Sequence, residues 1–134
     1  MLNKIEGITL SVSDLKRSIE FYRDILNLRV NKESEDKIEF SKKGSTNTKL
    51  IIELDKTGAT QNNKSSVIIT FSVLDLNTIY DNLTQRKVDF HKKLSEDETG
   101  KNTIIRDPDG YLISLTEPRD EFAQIPYYHG FAPA

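Results

Sequence analysis

Glu53 is the residue whose surroundings most suggest chemistry: within Leu50-Ile51-Ile52-Glu53-Leu54 it alternates with apolar residues, which places it across a strand from Ile52 and Leu54. A carboxylate on an inward face loses hydration, and that suits it to proton transfer or to holding a cationic ligand. The competing role is an ordinary solvated strand carboxylate paired with Lys49 or Arg106. His91 follows Phe90 in a strand, so with Phe90 in the core His91 lines the opposite face or its rim. His129 lies in the tail, where the surface is the default. Hydroxyls add a third group: Thr9, Ser11, Thr70, Ser72, Ser114 and Thr116 all fall on one side of their strands' alternation, with Ile51, Ile68 and Leu112 among them. An apolar floor with scattered hydroxyls is the usual lining of a small-molecule site. The sequence has no Gly-rich phosphate loop, no nucleophile elbow and no HExxH, so phosphoryl transfer, serine hydrolysis and zincin chemistry find no support.

The elements that position these residues come from a repeat. Ile8-Thr9-Leu10-Ser11-Val12-Ser13-Asp14-Leu15 recurs as Ile69-Thr70-Phe71-Ser72-Val73-Leu74-Asp75-Leu76, identical at 6 of 8 positions with an offset of 61. The same offset carries Leu50–Leu54 onto Tyr111–Leu115. In each half a strand leads to an aspartate N-cap, Asp14 or Asp75, and then to an amphipathic helix. Leu15, Ile19, Tyr22, Ile25 and Leu26 form the first stripe, to about Leu28, and Leu76, Ile79, Tyr80 and Leu83 form the second. Tyr22 and Tyr80 read as core. Three shorter strands follow each helix: Arg29–Lys32, Lys37–Phe40 and Leu50–Leu54, then Val88–Lys92, Asn102–Arg106 and Tyr111–Thr116. Glu33–Lys37 reads as a solvated turn, and Asp107-Pro108-Asp109-Gly110 as a hairpin turn.

These elements predict an α+β fold of two βαβββ units related by a pseudo-twofold, an incompletely closed barrel-like mixed sheet with helices outside. One domain spans residues 3–118, with units 3–56 and 67–118 and a polar linker Thr57–Ser66 between them. The tail 119–134 is aromatic and proline-containing, with Tyr127, Tyr128 and Phe131, and is expected to be either disordered or docked.

Composition narrows the class. The 134 residues carry 19 basic and 21 acidic side chains spread along the chain, a formal charge of −2 that leaves no electrostatic footprint for nucleic acid or an anionic membrane. No apolar stretch approaches the roughly 20 residues of a membrane span, and Met-Leu-Asn-Lys-Ile-Glu lacks the core of a signal peptide. With no cysteine, disulfides, thiolate metal sites and cysteine nucleophiles are excluded, and the expected location is cytoplasmic.

Val12-Ser-Asp-Leu-Lys-Arg-Ser-Ile-Glu-Phe-Tyr22 and Arg106-Asp-Pro-Asp-Gly-Tyr-Leu-Ile-Ser-Leu-Thr-Glu-Pro118 resemble the first strand-helix junction and the closing hairpin of the vicinal oxygen chelate superfamily. That superfamily includes glyoxalase I, methylmalonyl-CoA epimerase, extradiol dioxygenases, fosfomycin-modifying transferases and bleomycin-binding resistance proteins. The resemblance covers about residues 3–118. It implies four metal-ligand positions in metal-dependent members, which fall here at Gly7, Glu53, Ile68 and Ser114, and only Glu53 of these is a strong ligand. The resulting expectation is a protein of the glyoxalase/bleomycin resistance type that binds a small organic ligand in the sheet concavity. It would use no cofactor and no conventional metal centre, and would act as a homodimer. The alternative is a glyoxalase-, epimerase- or lyase-like enzyme with Glu53 as base and an atypical metal site or none.

Overall fold

The computed structural model describes residues 1–41, 48–57 and 67–119. The chain divides into two compact units, Met1–Asn63 and Lys64–Ala134. Each contains a four-stranded mixed sheet that does not close on itself, so the fold is α+β and built from two βαβββ units. Residues 58–66 of the expected linker and the tail Phe122–Ala134, with His129, lie outside the described residues. Among the described residues no helix is long and apolar enough to cross a membrane.

In the first unit, β1 (Gly7–Val12) leads to α1 (Leu15–Ile19), and β2 (Val30–Glu33), β3 (Lys37–Phe40) and β4 (Lys49–Leu54) follow. The sheet order is β1-β4-β3-β2, with β1 parallel to β4 and the other pairs antiparallel. Tyr22, fully buried, meets Phe40 with tilted rings 6.2 Å apart, which fixes the helix-packed face. Cross-strand register then places Leu10, Ile38, Leu50 and Ile52 on that same buried face.

The second unit repeats the order with β5 (Ile68–Ser72), α2 (Leu76–Gln85), β6 (Asp89–Asp97), β7 (Gly100–Arg106) and β8 (Leu112–Pro118), arranged β5-β8-β7-β6. Tyr80 meets Phe90 at 4.7 Å, and Phe90 pairs with Ile105, which in turn pairs with the fully buried Ile113. The strand β6 runs five residues beyond the expected end at Lys92. Lys92–Asp97 shows no apolar alternation, but Ser95, Glu96 and Asp97 pair with Asn102, Lys101 and Gly100 in a long hairpin. Strand formation there is decided by the partner strand and not by the segment's own pattern.

Both helices begin as expected. Asp14 accepts the Arg17 N–H at 3.2 Å, and Asp75 accepts the Thr78 N–H at 3.2 Å and its hydroxyl at 2.8 Å. The Thr78 hydroxyl, with the backbone bond behind it, holds the Asp75 carboxyl below the ordinary aspartate range. They do not end alike. The α2 helix closes with Lys87 at φ 60° while Val88 N–H donates to Leu83 at 3.1 Å and Lys87 N–H to Thr84 at 3.1 Å, a Schellman closure.

The first helix departs from a uniform α-helix: α1 passes without a break into a π-helical segment, Glu20–Ile25. There Leu26 N–H donates to Phe21, and Leu28 N–H reaches back to Tyr22, each at 2.9 Å. Asn27, at φ 60°, is the counterpart of Lys87. The left-handed Asn27 lies 13 residues beyond the cap Asp14, whereas Lys87 lies 12 residues beyond Asp75. The wider helical turn therefore absorbs one extra residue.

The strand register corrects a second expectation. Ile8 pairs with Leu50 and Ile69 with Ile113, so first strands separated by 61 positions are matched by last strands separated by 63. Ile51, beside Thr9, is therefore the equivalent of Ser114, beside Thr70, and Glu53 is the equivalent of Thr116. Side-chain period 2 explains why similarity alone misleads: a shift of two residues keeps every apolar residue on its own face.

Candidate functional site

The face of each sheet turned away from its helix holds the candidate residues. In the first unit one row runs Thr9–Ile51–Glu39 and the next Ser11–Glu53–Lys37. Thr9 and Glu53 are exposed and Ser11 is half-buried. The desolvation expected of Glu53 is thus missing: its carboxylate stands in solvent, opposite Lys37 and within electrostatic reach of Lys56. Lys56 itself is committed to Asp36 at 2.7 Å, a contact that raises the ammonium and lowers the carboxyl. A bulge between Val30 and Lys32 frees Asn31, whose amide donates to Glu39 at 2.6 Å.

On the second unit three rows are stacked along the sheet: Ile68–Leu112–Arg106–Asp89, Thr70–Ser114–Ile104–Lys92, and Ser72–Thr116–Asn102–Ser95. Leu112 is buried, Ser114, Thr116, Ile104 and Arg106 are half-buried, and Thr70, Ser72 and Ile68 are exposed. A bulge between Phe90 and Lys92 releases His91 from the alternation, at the position that Asn31 holds in the first unit. Phe90 can then pack on Tyr80 while His91 reaches Arg106, whose Nη2 lies 2.7 Å from His91 Nδ1. Because a guanidinium only donates, Nδ1 is the acceptor and the ring proton sits on Nε2. The other terminal nitrogen of Arg106 is 3.6 Å from Asp89 Oδ2.

The structure brings Thr70, Ser114 and His91 onto one sheet face, and Thr9, Ser11 and Glu53 onto another. Sequence reasoning missed Arg106 and Lys92 as members of the His91 face. The available signal was the parity of Arg106 with Leu112 across the Asp107–Gly110 turn. That turn is well defined: Asp107 Oδ1, on a buried side chain, accepts the N–H groups of Asp109 and Tyr111 at 2.9 and 2.8 Å, and Gly110 takes φ 99°.

A divalent ion is a poor match to these faces. Gly7 and Ile68 offer no donor, Ser114 offers one hydroxyl, and the corrected register puts Ile51 where Glu53 was expected to be Ser114's counterpart. Among the described residues no group of three or more His, Asp or Glu side chains is set to hold a metal. The first unit also has an open groove of about 430 Å³ between α1 and the β2 end, lined by Leu15 and Ile19. Its charges are mixed, Lys16 and Arg23 against Glu20, Glu33 and Glu35, so it presents no convergent chemistry.

Residues 4–115 match the family model described as Glyoxalase/Bleomycin resistance protein/Dioxygenase superfamily. The protein YraH of Bacillus subtilis (strain 168) is 28% identical over 123 residues, covering 84% of this chain and 96% of YraH. Among solved structures, the fold is similar to TnmS3, an antibiotic binding protein from Streptomyces sp. CB03234. Identity is 19% and the TM-score 0.70, with 87% of this chain and 97% of that one covered. A glyoxalase/dioxygenase from Nostoc punctiforme is similar at 17% identity and TM-score 0.73, covering 86% and 90%.

Proposed function

The chain belongs to the Glyoxalase/Bleomycin resistance protein/Dioxygenase superfamily, and from that premise we propose that it binds a small organic molecule against the helix-distal sheet faces without a conventional metal centre. The observation that carries this reading is the row Thr70–Ser114–Ile104–Lys92 lying next to Ile68–Leu112–Arg106: hydroxyls, aliphatic side chains and two cations share a single face. Such a surface offers apolar contact area together with a few directional hydrogen bonds, and affinity follows without any reacting group. The antibiotic-binding description of TnmS3 supports the same class of function.

The neutral fluorophore N-phenyl-1-naphthylamine tests this on the full chain. Saturable binding at about one probe per chain is expected, and Ser114→Trp should weaken it by about tenfold or more, because an indole would fill the row between Thr70 and Ile104. Absence of saturable binding overturns the reading, as does unchanged affinity in a Ser114→Trp protein whose thermal midpoint matches the parent. The proposal extends to a cytoplasmic homodimer, so sedimentation should return twice the 15.3 kDa chain mass. A monomer at micromolar concentration would refute that part alone.

A further inference from the structure

We propose that the ligand carries an anionic group, a carboxylate, sulfonate or phosphate on an apolar body, and that Arg106 receives it with His91 and Lys92 beside it. The inference rests on the small-molecule reading above and adds the sign of the ligand's charge.

Among the described residues the Arg106 side chain has two polar contacts, with His91 and Asp89. Its guanidinium has five N–H donors. One goes to His91 Nδ1, and the contact with Asp89 is a 3.6 Å pair whose carboxylate is 68% exposed, the kind of ion pair that contributes little. Among the described residues the side chain has no other polar partner. The side chain is nevertheless held in place, 38% exposed and anchored at one end by the imidazole. A fixed fork with spare donors matches the geometry of an anion better than a mobile lysine does.

The neighbours agree with that sign. Lys92 lies in the next row opposite Ile104, and the His91 tautomer set by Arg106 leaves Nε2–H as a further donor. Among the described residues of the three rows, Asp89 at the sheet edge is the one acidic side chain. The apolar body has its place too, since Leu112 pairs with Arg106 and Ile68, 46% exposed, pairs with Leu112. A guanidinium directly beside aliphatic surface in one row, with Lys92 in the next, suits an amphiphilic anion.

The experiment compares two probes with the same ring skeleton, 1-anilinonaphthalene-8-sulfonate and the neutral N-phenyl-1-naphthylamine, on the full chain. The wild type should bind the sulfonate more tightly. Arg106→Gln should weaken the sulfonate by about tenfold or more, the loss expected for a charged hydrogen bond, and should weaken the neutral probe by much less, so that the sulfonate's advantage over the neutral probe shrinks. Arg106→Lys should lose less, and Lys92→Gln, at an exposed side chain, should weaken the sulfonate severalfold. The Lys92 variant decides the matter if the Arg106 variants fail to fold. Preference for the neutral probe, or variants that leave sulfonate affinity unchanged, would overturn the inference while the small-molecule reading stands. Failure of both probes to bind the wild type would overturn the two together.

Discussion

Replacing Gly100 with Ala is expected to lower the unfolding free energy by about 3–5 kcal/mol, out of a total of roughly 5–15 kcal/mol for a domain of this kind. Gly100 begins β7 opposite Pro118, and a Cβ there would stand 2.2 Å from the Glu117 carbonyl oxygen and 2.9 Å from the Pro118 Cα. Both neighbours are backbone, so relief requires prising β7 from β8. Its φ of 137° is a second penalty, since L side chains rarely adopt it. The damage would spread, because Glu117 Oε1 accepts the Leu76 N–H at 2.8 Å and so ties β8 to the first turn of α2. Gly110 supplies the control. Its φ is 99° but nothing lies within 4 Å of an added Cβ, so Gly110→Ala should cost only the conformational part, about 1–2 kcal/mol. Urea denaturation of the two variants separates the contributions, and equal losses would contradict the steric account.

The second large effect is a contrast between deletions. Removing Asn82 from α2 turns everything beyond it by about 100°, and either the fully packed Leu83 or the helix before it must leave its place. The expected loss is on the order of 2–5 kcal/mol, as for truncating a buried leucine. Removing Asp24 from the π-helical segment should cost less than about 1 kcal/mol. The left-handed residue would then lie 12 residues beyond Asp14, the spacing α2 uses, and the exposed Arg23–Asp24 pair that disappears contributes little. Denaturation midpoints and far-ultraviolet circular dichroism give the answer. Comparable destabilisation by both deletions would show that the π-segment holds no slack.

The caps, the helical stripes and the strand faces were legible in the sequence because each depends on neighbours within one or two turns: Asp14 and Asp75 needed only the N–H groups three residues on. What depended on distant pairing was not. The stripe Leu15, Ile19, Tyr22 fits an α-helix, and the widening at Phe21–Leu28 shows only when the left-handed residues of both helices are compared. His91 was left with two possible settings because alternation forbids it and Phe90 from sharing a face, a rule that the bulge before Lys92 suspends. Arg106 enters the sequence reading only beside Lys49, as one of two partners for a solvated Glu53, and its bond to His91 requires knowing that β6 lies beside β7. Glu53 looked inward by parity, but parity says nothing of solvent, and the residue is exposed.

The two-residue difference in register between the halves has a consequence for how such a chain diverges. A slip of one residue would turn the core face of a strand into water, whereas a slip of two leaves inside and outside as they were and carries the pattern about 6.6 Å along the strand. Thr9 therefore stands beside Ile51 in one half while Thr70 stands beside Ser114 in the other, with both cores intact. The strand works as a rack with a fixed tooth spacing. Selection can move a polar group to a new depth in one step of that rack, and a duplicated scaffold acquires two unlike surfaces while every leucine and isoleucine of its interior stays where it was.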